Sequence, residues 1–162
     1  MFHAVLFFLL VLTLIGSCVN LYESWGDHQR LYSAALIPNT STLWTAGIFT
    51  GSSGIYQTLA ENWNGVGWSA IASPNASTNT NLLNSVTAIS ATDAWVVGNY
   101  IDNNGVSQAL IENWDGTGWN VTNSPTTGTG DLLIGVTNVP GGSDAWAVGY
   151  SNNGQQSLIM FC

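Results

Sequence analysis

Beyond residue 30 the apolar positions come in short runs broken by Gly, Asn, Ser and Thr, with no 3.6-residue rhythm. In the best-defined stretch the runs are Ser85 to Ile89 (SVTAI), Ala94 to Tyr100 (AWVVGNY), Gln108 to Trp114 (QALIENW) and Trp119 to Thr122 (WNVT). They are β-branched and aromatic, which predicts four strands and no helix. The punctuation fits hairpins. Asn104-Gly105 and Asn153-Gly154 fall between second and third runs, and Asn64-Gly65 and Asp115-Gly116 between third and fourth. Such dipeptides accept the positive φ that tight turns demand. Pro74 and Pro125 lie just past the fourth run, where a missing N–H harms no ladder.

The pattern repeats. Trp44, Trp95 and Trp146 are each 51 residues apart, as are Trp63 and Trp114, Trp68 and Trp119, and Ser73-Pro74 and Ser124-Pro125. Gly47, Gly98 and Gly149 keep the same step, and Glu61-Asn62-Trp63 reappears as Glu112-Asn113-Trp114. A third copy begins at Asp131-Leu132 and carries Asp144-Ala145-Trp146-Ala147-Val148-Gly149-Tyr150. Rare residue types in register are the mark of a tandem repeat.

Four antiparallel strands in about 50 residues, in tandem, describe blades of a β-propeller. The chain resembles kelch-like and BNR-like propeller repeats, and more closely secreted bacterial repeats of the form DAWAVG…LIExWxGxxW…SP. Asn113-Trp114-Asp115-Gly116-Thr117-Gly118-Trp119 is similar to the Asp-box hairpin of sialidase-type blades, one residue shorter from Asp to Trp. The expectation is an all-β chain: a signal or anchor at 1–18 with a hydrophobic helix, a linker at 19–29, blades at 30–80 and 81–131, and a partial blade at 132–162. Cys162 comes before the third unit's Trp-x-Gly-x-x-Trp hairpin, which makes about two and a half blades against about 4–8 in a closed ring. The chain is therefore expected to be a fragment of a larger propeller, or to close by self-assembly.

Phe2 to Ile15 is an apolar core of about a dozen residues followed by Gly16-Ser17-Cys18, the layout of a secretory signal. It is short for a transmembrane helix, which needs roughly 20 apolar residues. Ile15-Gly16-Ser17-Cys18 also resembles a lipobox, which would make Cys18 a lipidation site; ordinary cleavage and a retained anchor are the alternatives. The expected address is secreted or cell-surface, touching a membrane only through this segment. Cys18 and Cys162 are the only cysteines, and nothing in the spacing requires them to pair.

Charge narrows the partners. One basic residue, Arg30, against nine acidic ones cannot neutralise a run of phosphates, so nucleic-acid binding is excluded. The same arginine cannot form the cluster with which sialidases of this architecture grip a carboxylate. His3 and His28 are the only histidines, and neither lies in a repeat. No metal cluster, Ser-His-Asp set or Gly-rich phosphate loop is recognisable. Asp102 and Asn104 in Asp102-Asn103-Asn104-Gly105 are spaced somewhat like a calcium loop, but one aspartate is little charge, and a polar turn is the plainer reading. Glu61 and Glu112 could be an acid–base couple. Their recurrence at one repeat position reads instead as structural, and Met160 replaces them in the third unit. Asp93 and Asp144 are expected to close turns.

Residues placed alike in every unit are fold residues first. Trp44, Trp95 and Trp146 are expected in the core. Trp63, Trp68, Trp114 and Trp119 are expected to pack near the hairpins, with ligand contact as the alternative. Gly47, Gly98 and Gly149 are expected where sheets approach or a strand bends. With no cofactor implied, the expectation is a non-catalytic binding module for an extracellular polysaccharide or protein, on the face built from the second-to-third-strand loops and the unit connections. The alternatives are an enzyme whose active residues lie in further blades, such as a glycoside hydrolase or lyase, and a structural spacer.

Overall fold

The computed structural model describes residues 29–125 and 130–162. The predicted N-terminal helix and the lipidation candidate Cys18 lie outside the described residues.

Three antiparallel sheets follow one another along the chain. The first is β1 (Gln29–Leu36), β2 (Leu43–Thr50), β3 (Tyr56–Trp63) and β4 (Trp68–Ile71). The second is β5 (Asn81–Ser90), β6 (Asp93–Ile101), β7 (Ser107–Trp114) and β8 (Trp119–Val121). The third has β9 (Leu132–Asn138), β10 (Ala145–Ser151) and β11 (Gln156–Phe161). Each is a meander in which sequence neighbours pair, so short turns suffice. The hairpins end where the dipeptides predicted. In Asn64-Gly65 and Asp115-Gly116 only the glycine takes positive φ, at 95° and 92°. The preceding Asn64 and Asp115 instead cap the turn, each accepting two main-chain N–H groups on Oδ1.

The invariant glycine has a cause that spacing alone did not show. Gly47, Gly98 and Gly149 face Leu31, Leu83 and Leu133 of the first strand in their own sheet, each beside a register shift. A Cβ at any of the three would lie 1.9 Å from a carbonyl oxygen, of Arg30, Leu82 or Leu132. The close approach is thus to a bulged strand of the same sheet, not to a neighbouring sheet, and only glycine fits.

The sheets stack face to face. The first strand of each later sheet crosses the face of the sheet before: β5 packs on β1, β2 and β3, and β9 on β5, β6 and β7. We call the face turned toward the next sheet the front and the other the back. The first junction buries Trp44, Ala46 and Ala60 from one front against Leu83, Val86, Val96 and Leu110 from the next back. The second buries Val97, Ala109 and Ile111 against Leu133, Ala147, Leu158 and Met160. Both faces of the middle sheet are therefore covered, which is why Val96-Val97 is apolar without alternation.

Two polar contacts recur at both junctions. The Val86 N–H donates to Ser33 Oγ at 3.2 Å, and the Val136 N–H to Ser85 Oγ at 3.2 Å. Ser73 Oγ, from the connection leaving the first sheet, donates to Glu112 Oε2 at 2.8 Å in the second. Ser124 Oγ, leaving the second sheet, meets Met160 Sδ at 3.3 Å in the third. The Ser-Pro dipeptide is thus a clasp between units. Its 51-residue recurrence was visible in sequence; its target was not, because the bond joins different units.

Candidate functional site

Among the described residues two open grooves lie beside the sheets, apart from a more enclosed cleft of about 240 Å³ lined by residues that include Ile111, Thr122, Pro125 and Met160. One, of about 350 Å³, is lined by Ile55, Asn79, Thr80, Ile101, Asp102, Asn103 and Gly105, where the loop preceding β7 meets the connection into β5. This is the face on which the sequence placed a ligand. Its polar atoms are largely spent internally. Asp102 Oδ1 accepts the N–H groups of Asn104 at 2.8 Å and Val106 at 2.9 Å, and Oδ2 accepts Gln108 Nε2 at 3.2 Å. The Asp102 carbonyl accepts Asn79 Nδ2 at 2.9 Å. The main-chain bond from Val106, foremost, holds the carboxyl below the usual aspartate range. Asp102 and Asn104 therefore form a closed polar turn. Among the described residues no group of three His, Cys, Asp or Glu side chains converges on a metal position.

The other groove, of about 640 Å³, opens at the opposite end of the strands. Two indoles, Trp95 and Trp114, flank it with Asp93, Asp115, Asp144, Asn113, Ser90 and Ser143. Each indole is held by its N–H: Trp95 Nε1 donates to the Ser143 carbonyl at 3.0 Å, and Trp114 Nε1 to that of Ala91 at 3.1 Å. Asp93 Oδ1 accepts Asn113 Nδ2 at 3.2 Å, a cross-strand bond and not the turn closure expected of it. Asp115 Oδ1 accepts the Thr117 hydroxyl and N–H and the Gly118 N–H, at 2.6, 2.8 and 3.0 Å, which together lower its pKa to about 2. The Asp115 carboxylate is thus ionised across ordinary pH. Asp115 Oδ2 also accepts Asn120 Nδ2 at 3.0 Å, so this carboxylate, like that of Asp102, is spent on its own turn. Its charge still makes the groove unfavourable to anions, and Asp93 and Asp144 beside the two fixed indoles are the carboxylates left to meet a neutral ligand rich in hydroxyl donors.

The repeated tryptophans separate into three environments. Trp44 is 2% exposed and lies 4.9 Å from Trp114 and 5.0 Å from Trp119, ring centre to centre. Trp95 is half-buried against the second junction. Trp146 is 46% exposed and touches Phe161 at 4.9 Å, so its expected core role is corrected: no described sheet covers its face. The Trp-x-Gly-x-x-Trp pairs pack on themselves, Trp63 with Trp68 at 5.5 Å and Trp114 with Trp119 at 5.7 Å.

Glu61 and Glu112 stand at one register position of successive sheets, opposite Thr45 and Val96. Both are buried, which removes them from either groove. Glu112 Oε1 has no hydrogen-bond partner, and burial pushes the carboxyl up to about 7 despite the Ser73 bond. Cys162 is a free, partly buried thiol raised in pKa by that burial. No helix among the described residues is long and apolar enough to cross a membrane. Comparison with known proteins found no matching family model, curated protein or solved structure.

Proposed function

We propose that the chain is an exported, non-catalytic repeat protein whose sheets are propeller-type blades, and that it binds a neutral extracellular polysaccharide in the Trp95–Trp114 groove. The observation that carries the reading is the groove itself: two indoles pinned through their N–H groups, ringed by hydrogen-bond acceptors, on a scaffold of stacked sheets. Pinned rings cost little conformational entropy on binding, and carboxylates accept from sugar hydroxyls. The propeller reading is supported by the recurrence of both junction contacts at the same repeat positions. Export is supported by the apolar Phe2–Ile15 segment before Gly16-Ser17-Cys18, where cleavage or lipidation would fall.

The test is a glycan array with the full chain, followed by titration of tryptophan fluorescence with the neutral glycans that bind. Saturable quenching or enhancement, weakened about tenfold by Asp144→Ala through a lost acceptor, is the expected result. An array without hits, or turnover of a bound glycan by the chain, overturns the reading. Fractionation of expressing cells and sequencing of the mature N-terminus test export separately.

A further inference from the structure

Three Asn-x-Ser/Thr triplets occur in the chain: Asn39-Thr40-Ser41, Asn75-Ala76-Ser77 and Asn120-Val121-Thr122. Each has what N-glycosylation requires of a sequence, an asparagine with a hydroxyl two residues on and no proline between. All three asparagines are exposed, so exposure does not choose among them. Their hydrogen bonds do, because a sugar on Nδ2 replaces one of its two hydrogens and is bulky.

Asn120 is committed through its nitrogen. Nδ2 donates to Asp115 Oδ2 at 3.0 Å and to the Gly118 carbonyl at 3.1 Å, so a sugar there would cost a bond that holds the hairpin. The hydroxyl-bearing Thr122 is held beside it, its N–H donating to the Ile111 carbonyl at 2.8 Å. Asn75 is committed through its oxygen, which accepts the Thr58 N–H at 3.1 Å and the Thr58 hydroxyl at 3.3 Å and fastens the connection to β3. The hydroxyl of its triplet is engaged too: Ser77 Oγ accepts the Asn79 N–H at 3.2 Å.

Asn39 stands in the turn between β1 and β2 with φ of 62°, a conformation that asparagine tolerates. No hydrogen bond among the described residues involves its side chain. The turn is closed without it. The Ile37 N–H donates to the Thr42 carbonyl at 2.9 Å, and Thr40 Oγ1 donates to the Ile37 carbonyl at 2.8 Å and accepts the Thr42 N–H at 3.1 Å. Pro38, Asn39, Thr40 and Ser41 are exposed in a row, which leaves room for a sugar.

We infer that Asn39 is an N-glycan acceptor and that the fold leaves Asn75 and Asn120 bare. The donor is a lipid-diphosphate-linked oligosaccharide. Asn39 Nδ2 attacks the anomeric carbon of its first sugar. The N–C bond forms, the C–O bond to the diphosphate breaks, the lipid diphosphate leaves with the electron pair, and one amide proton passes to a base of the transferase. Ser41 supplies the hydroxyl that completes the acceptor triplet. The inference rests on the export reading, since such acceptors belong to secreted proteins.

The test uses the folded full chain, incubated with an oligosaccharyltransferase and the lipid-diphosphate donor and read by intact mass and peptide mapping. One glycan, on Asn39, is expected. It should be lost in Asn39→Asp, which keeps the turn's backbone preference and removes the nitrogen, and in Ser41→Ala, which keeps the nitrogen, with circular dichroism unchanged in both. Asn75→Gln and Asn120→Gln should leave it in place. Absence of transfer to Asn39, or transfer to Asn75 or Asn120 in its stead, overturns the inference. Expression in cells whose secretory lumen carries the transferase separates the site from export. An exported chain with Asn39 bare overturns the site and leaves export standing. A chain retained in the cytosol, but glycosylated on Asn39 by the purified transferase, overturns export and supports the site.

Discussion

Trp44 and Trp146 stand at the same place in two copies of one repeat, yet one is sealed beneath the Trp114–Trp119 hairpin and the other lies beside Phe161 at the surface. Strand, register and flanking glycine are alike: each tryptophan lies three residues before a glycine that faces the bulged first strand. What differs is whether another sheet covers the residue. The contrast teaches that the repeat specifies a half-interface, and that burial is conferred by the neighbour.

The contrast can be broken at its strongest point. Trp44→Ala should cost about 4 kcal/mol in denaturant unfolding, through lost burial and the cavity left beside the Trp114 and Trp119 rings. Trp146→Ala should cost under about 1 kcal/mol. Equal costs would mean that the Trp146 face of the third sheet is covered in solution.

The glycines form a second contrast. Gly98→Ala forces a methyl against the Leu82 carbonyl and should destabilise by about 3 kcal/mol, whereas Gly118→Ala, with open space at its Cβ, should stay within about 0.5 kcal/mol.

Glu112 and Met160 form the third, since both are met by a Ser-Pro hydroxyl from the preceding unit. With its pKa raised from 4.5 to about 7, Glu112 binds its proton more tightly folded than unfolded. The stability it confers is therefore complete below about pH 4.5 and is lost as pH rises through about 7, a fall on the order of 3 kcal/mol. Urea unfolding at pH 5 and pH 8 should show the fall, and Glu112→Met, which imports the third sheet's residue, should flatten it. A slope unchanged in Glu112→Met would assign the pH dependence elsewhere.

The smallest effect concerns the clasp. Ser73→Ala leaves a buried carboxylate oxygen without its donor and should cost about 1–2 kcal/mol. Ser124→Ala loses only a contact to a thioether and should cost about 0.5 kcal/mol or less. The same unfolding assay compares the two.

Much of the local architecture was legible before any coordinates. The strands of the middle unit, its turns and the 51-residue register follow from β-branched runs, Asn-Gly and Asp-Gly pairs and recurring tryptophans, all of them short-range signals. The groove was less legible. Trp95 and Asp144 come from different units, and nothing in their spacing says that Ser143 would carry the acceptor for the Trp95 indole. The loop at Asp102 carried the more suggestive sequence, yet its oxygens close its own turn.

By itself the sequence determined which segments extend, where they turn and that the unit recurs, because propensity, turn chemistry and periodicity act over a few residues. Only the tertiary structure decided which tryptophan is core, why the glycine is obligatory and where Ser73 sends its hydroxyl. Each of these depends on a surface or a carbonyl supplied by a strand distant along the chain, and identical residues acquire different surroundings according to which sheet comes next.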